Sequence, residues 1–271
     1  MGYFERALLA AVVIGATCGL VGALVVLRRR VFFAQALTHA TFPGAVAAAL
    51  LGVSIPLGAA VASVAIVGIM ALISRVRRQG AQVASGIVLT AGFAIGALMQ
   101  AMNPDVPVHL ESFLVGSILS VSAGDIVLSS VVLLVAVVTI LLVGKEIVFQ
   151  TFDRRGYAAA GYREWPLEVV VLALVAATVV TAMPAVGAIL AIALIAAPAA
   201  AARVMAPSTR WMIAISPVIG AAAGVIGVVL SRLVDVAAGP TIALVAAAFF
   251  LLALGVRRMP RLGWTRGVTE A

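Results

Sequence analysis

Nine runs of about 20 apolar residues follow one another along this chain, at roughly 7–27, 31–52, 55–74, 81–101, 125–144, 167–183, 185–202, 211–231 and 241–256. In hydrocarbon every backbone N–H and C=O needs a partner inside its own segment, so runs of this length are read as membrane-spanning helices. The expected class is all-α, a polytopic helical bundle of about nine spans, or eight if the short run near 185 re-enters instead of crossing. With 64% hydrophobic and only 10% charged residues, the chain lies outside the range of soluble domains, in which about a quarter of residues are charged. The longest polar stretches, about 102–124 and 145–166, are too short for a soluble domain, so residues 1–271 are read as one membrane domain.

The basic residues sort onto alternate connections. Arg28, Arg29 and Arg30, then Arg75, Arg77 and Arg78, then Lys145, Arg154, Arg155 and Arg163, then Arg203 and Arg210, and finally Arg257, Arg258, Arg261 and Arg266 fall on one side; only Arg6 and Arg232 fall on the other. Short-loop bias of this kind marks the cytoplasmic side. It predicts an outside N-terminus and a cytoplasmic tail over 257–271. A pI near 11.2 therefore reports orientation, and no nucleic-acid partner is expected. The first run has no basic stretch before it and is read as a retained span, not a cleaved signal. Cys18, the single cysteine, reads as a small packing residue. Gly15 with Gly19, Gly92 with Gly96, and Gly220 with Gly224 have the small-xxx-small spacing that lets helices approach closely. Pro43, Pro184, Pro198 and Pro217 each remove a backbone donor and invite a break or kink.

All ten acidic residues lie in connections or at span ends: Glu5, Asp105, Glu111, Asp125 and Asp235 on the outer side, and Glu146, Asp153, Glu164, Glu168 and Glu270 on the inner. No carboxylate is available in mid-membrane to carry a coupling proton or sodium ion, which disfavours a proton-coupled carrier. There is also no G-x-x-x-x-G-K-[ST] phosphate loop, H-E-x-x-H or G-x-S-x-G elbow, so an enzyme is not expected and energy has to come from another subunit. One ionisable side chain does fall inside a span, His39. Gln35 precedes it by four residues and shares its helix face, Thr38 is adjacent, and Pro43 cannot donate to the His39 carbonyl. Imidazole and oxygen donors in one turn suit a divalent metal shedding water; the alternative is a histidine bonded across a helix interface. His109 lies in the outer connection with Asp105 and Glu111, either as a cation-attracting mouth or as solvated loop charge. The inner segment 145–166 mixes charge with Tyr157, Tyr162 and Trp165, as an interfacial helix or a docking element would.

Read in order, "RRRVFFAQALTHATFPG", "SGIVLTAGFAIG", "SFLVGSILSVSAGD", "FDRRGYAAAGY", "VGAILAIALIAAPAAAARV" and "DVAAGPTIALVAAAFFLLALG" resemble the permease subunits of the zinc, manganese and iron ABC uptake systems over about 240 residues. The resemblance implies import of a divalent metal as substrate with no permanently bound cofactor, and a homodimer or paired permease. It also implies a partner ATPase and an extracytoplasmic metal-binding protein. It implies that segment 152–161, through Phe152, Asp153, Arg154, Arg155, Tyr157 and Gly161, is the coupling helix that docks on the ATPase. Family members commonly place an aspartate four residues before the histidine; here Gln35 stands there, so the negative charge is lost while His39 is kept. A permease for a metal chelate or cobalamin is the alternative substrate reading.

Overall fold

The computed structural model describes residues 2–73, 81–104 and 110–258. Among these the regular structure is helical throughout, in the order α1 (Tyr3–Leu27), α2 (Val31–Ala40), α3 (Phe42–Leu50), α4 (Ile55–Ile73), α5 (Ala81–Met102), α6 (Leu110–Val115), a 3-10 turn at Ile118–Ser120, α7 (Ala123–Phe152), α8 (Arg154–Ala159), α9 (Glu164–Val186), α10 (Ala188–Met205), α11 (Thr209–Val234) and α12 (Ala238–Arg258). Seven of them, α1, α5, α7, α9, α10, α11 and α12, are long and apolar enough to cross a membrane. The chain is a multi-pass membrane protein. The expected span at 31–52 is split at Thr41 into α2 and α3, because Pro43 cannot donate into the α2 ladder.

Expected and observed boundaries differ most at α7. The apolar run ends near Gly144, yet the helix continues to Phe152. No breaker intervenes, and the added turns bury Ile147 and Gln150. At 1.5 Å per residue its 30 residues reach about 45 Å, longer than a hydrocarbon core of about 30 Å, so α7 is long enough to extend past that core. Its start is secured by a capping box, in which Asp125 N donates to Ser122 Oγ at 3.2 Å and Ser122 N donates to Asp125 Oδ2 at 2.9 Å. The tail past Arg258, and the basic residues Arg75, Arg77 and Arg78, lie outside the described residues.

Small residues hold the bundle together. A Cβ on Gly15 would collide with the Gly220 carbonyl, one on Gly19 with the Ser216 carbonyl, and one on Gly224 with the Ala11 carbonyl. Both glycine pairs therefore serve the α1–α11 contact inside this chain, and Ser216 Oγ donates to Gly19 O at 2.6 Å across it. Gly92 and Gly96 of α5 meet Ala40 and Phe42 in the same manner. Cys18 is fully buried. The main core is one continuous cluster, mostly of Ala, Val, Leu and Ile side chains, drawn from α1, α2, α7, α9, α10, α11 and α12 with Phe33, Met70 and Tyr157 among them.

Among the described residues, three of the arginine-bearing connections converge at one end of the bundle. Arg28 and Arg30 both pair with Glu168 at the start of α9, and Arg203, near the end of α10, lines the same cavity as Arg28 and Arg154. At the opposite end Arg232 lies over the Phe4 ring, 4.3 Å from its centroid. There Gly116 packs against Gly187, where α9 gives way to α10. Helix α10 therefore runs from one end of the bundle to the other.

Candidate functional site

His39 sits in the last turn of α2, half-buried, directly before the break at Thr41. It is the ninth residue past Arg30, which at 1.5 Å each places it about 13 Å along α2 from the arginine-rich end. Its Nδ1 lies 3.2 Å from the Gln35 carbonyl oxygen and 3.0 Å from Thr38 Oγ1, and Thr38 Oγ1 itself donates to the Gln35 carbonyl at 2.8 Å. An imidazole whose Nδ1–H donates to a carbonyl presents the lone pair of Nε2 outward, the tautomer a metal ligand requires. Gln35 and Thr38 thus join His39 as expected from their spacing, but they act on its Nδ1 side, Gln35 through its backbone carbonyl. The His39 carbonyl left by Pro43 is approached by the N–H of Thr41, which also turns to Leu37 O.

Around this turn the structure assembles groups that the sequence did not single out. Phe93 of α5 stands 5.9 Å from the His39 ring, centroid to centroid. Phe42, fully buried just past the break, lies 4.6 Å from Phe113 of α6. Thr41 Oγ1 donates to Met183 Sδ at 3.5 Å. Met183 precedes Pro184, whose carbonyl accepts from Ser117 N at 3.1 Å. The break in α2–α3 therefore packs against the proline turn of α9, with Phe42, Phe113 and Met183 forming an apolar plug between His39 and the far end of the bundle. Pro43 and Pro184 were the sequence signals for this; nothing in the sequence pairs Phe42 with Phe113. Of the residues expected at the outer mouth, Glu111 falls in α6, while Asp105 and His109 lie outside the described residues. Among the described residues, no group of three or more His, Cys, Asp or Glu comes together to hold a metal.

The second region is the α7–α9 connection. Asp153 caps α8, its Oδ1 accepting from Gly156 N at 2.8 Å. Gly161 has φ +84°, left-handed backbone that favours glycine. Phe152, Asp153, Arg154 and Arg155 are exposed, whereas Tyr157 is 4% exposed. Its ring packs edge-on to Phe149 at 5.5 Å and stacks on Tyr162 at 5.0 Å. Tyr157 thus packs against its own turn. Arg154 Nε pairs with Glu164 Oε2 at 2.5 Å. Gln150 Nε2 donates to the Glu164 carbonyl at 3.0 Å, and Arg28 donates to Gln150 Oε1 at 2.6 Å and to Glu168 Oε2 at 2.7 Å. Burial lowers the Arg28 guanidinium's pKa, and the Glu168 charge opposes that shift.

The structure is thus a helical membrane bundle in which the α2–α3 break, just past His39, packs on the proline turn of α9 through Thr41 and Met183; broken helices of this kind occur in transport proteins. The chain belongs to the ABC 3 transport family, whose family model matches residues 1–257. It is 30% identical over 251 residues to the manganese transport system membrane protein MntC of Halalkalibacterium halodurans, covering 93% of this chain and 86% of that one. It is 33% identical over 274 residues to the zinc transport system membrane protein TroC of Treponema pallidum, covering 97% and 90%. Among solved structures it is similar to a chain of PsaBC from Streptococcus pneumoniae in complex with Fab, with a TM-score of 0.85 and 30% identity over 94% of this chain and 91% of that one.

Proposed function

We propose that this chain is the permease subunit of an ATP-driven importer that passes divalent manganese, zinc or iron into the cell. It crosses the membrane nine times, counting α2 with α3 and α4 beside the seven long helices, with the N-terminus outside and the C-terminus inside. The convergence of the arginines on one end of the bundle supports this orientation through the positive-inside bias. A second copy or a paired permease completes the path, a separate ATPase supplies the energy, and an extracytoplasmic protein delivers the ion. The observation that carries the reading is His39, inside an apolar run beside a helix break, its Nδ1 within hydrogen-bond distance of the Gln35 carbonyl and Thr38 Oγ1; in this reading it lies at mid-membrane and Nε2 meets the cation. Neutral imidazole binds each of these metals, and a single ligand holds an ion only in passage.

In this reading α8 docks on the ATPase through Phe152, Asp153, Arg154 and Arg155. Its movement reaches α9 through Arg154 and Glu164, then α1 and α2 through Glu168, Arg28 and Arg30. Helix α2 carries His39 at its other end. Tilting α2 would part Phe42 from Phe113 and so open the plug. His39→Ala tests the proposal: uptake of radiolabelled manganese or zinc at limiting metal should fall to background while the complex still assembles. Uptake at the wild-type rate would sink the assignment.

A further inference from the structure

At the arginine-rich end a cavity of about 350 Å3 opens between the α1–α2 turn, the end of α7 and the end of α10. Five guanidiniums line it, from Arg28, Arg29, Arg30, Arg154 and Arg203, against one lining carboxylate, Glu168. That carboxylate is shared by Arg28, at 2.7 Å, and Arg30, while Arg154 takes Glu164 just outside. Two carboxylates against five arginines leave three positive charges uncompensated. Arg29 and Arg203 have no ion-pair partner among the described residues. The Arg28 side chain is 7% exposed, and its buried Nε has no hydrogen-bond partner. Arg29 also holds φ +55°, a left-handed conformation unusual for a long side chain.

A chamber of this charge favours an anion over a divalent cation. Guanidiniums match the oxygens of phosphate in paired hydrogen bonds, and their attraction grows where water is partly excluded. At about 30 Å3 per water the cavity has room for a phosphate group and several waters. A second cavity of about 230 Å3 shares Arg29, Arg30, Arg154 and Glu168 and continues between apolar side chains, among them Phe32 and Met70.

We propose that this arginine-lined cavity is a binding site for a phosphate-bearing anion. Two sources share that chemistry, the headgroup of an anionic membrane phospholipid and free inorganic phosphate. The apolar extension beside Phe32 suits the first. Basic pockets between helix ends on the cytoplasmic side are suited to such headgroups.

The test uses the full chain purified with its partner subunits and freed of anionic lipid. Phosphatidylglycerol is titrated with bound lipid counted by native mass spectrometry, and inorganic phosphate is titrated separately by equilibrium dialysis. The variants are Arg29→Gln and Arg29→Gln/Arg203→Gln, chosen because neither residue holds an ion pair, with Arg257→Gln as a basic control outside the cavity. Saturable binding of one lipid per chain, weakened about tenfold by the first variant, further by the second and unchanged in the control, would establish the lipid source. The same pattern with phosphate, without saturable lipid, would establish the free anion. Absence of saturation by either ligand, or wild-type binding by both variants, would overturn the site. Loss of the ATPase from the double variant with anion binding intact would equally overturn it, in favour of an acidic protein surface as the cavity's ligand.

Discussion

The hydroxyl of Thr38 touches both the His39 ring and the Gln35 carbonyl, so it restrains the imidazole. Removing it in Thr38→Val keeps the shape but frees the ring to rotate. Metal uptake at low concentration should fall about three- to tenfold, less than in His39→Ala, and initial-rate assays over a range of metal concentrations would measure it. Gln35→Asp would restore the negative charge that the family commonly carries. A carboxylate attracts a divalent ion more strongly than an amide does, so the metal concentration for half-maximal uptake should fall; an increase would show that Gln35 does not face the ion.

Between helices, small residues carry the packing. On the α1–α11 contact a methyl at Gly220 would meet the Gly15 carbonyl, where no flexible side chain can yield. Gly220→Ala should cost about 1–3 kcal/mol and lower the melting temperature of the purified protein. Gly68, whose Cβ position is open, is the matching control, and Gly68→Ala should leave that temperature unchanged or slightly raised. Capping is the equivalent detail at α8. Asp153→Ala deletes the hydrogen bond to Gly156 N, worth about 1 kcal/mol; because α8 has only six residues, the loss should be read as weaker co-purification of the ATPase before any change in global stability.

Across the whole molecule, Glu168 is the knot that joins three helix ends. It accepts from Arg28 and Arg30 on either side of the α1–α2 turn while belonging to α9. Glu168→Gln leaves two guanidiniums facing no carboxylate in a partly buried site, with an expected cost of about 1–3 kcal/mol, between the exposed and fully buried cases. The informative readout is coupling: ATP hydrolysis by the assembled complex should persist while metal uptake drops, because α8 and α2 would no longer move together. Topology is testable at the same scale. With Cys18 buried, a cysteine placed at Gly2 should react with a membrane-impermeant maleimide from outside, and labelling only after permeabilisation would reverse the orientation.

Periodicity and length were enough to place α1, α5, α7 and α9–α12 as helices, and charge position to group the arginines of the α1–α2, α7–α9 and α10–α11 connections, because hydrophobic run length and arginine bias are local properties of the chain. His39 was legible for the same reason, as an ionisable group inside an apolar run beside a proline. Tertiary structure alone decided the rest. Whether Gly15 and Gly220 serve a dimer or this chain's own core, whether Tyr157 packs against its own turn, and whether five arginines scattered over three connections close on one cavity all depend on contacts between residues far apart in the sequence or on the exact turn of a short helix. Pairwise approach across a bundle leaves no period in the sequence, so the plug of Phe42 with Phe113 and the Glu168 knot could be seen only in the folded chain.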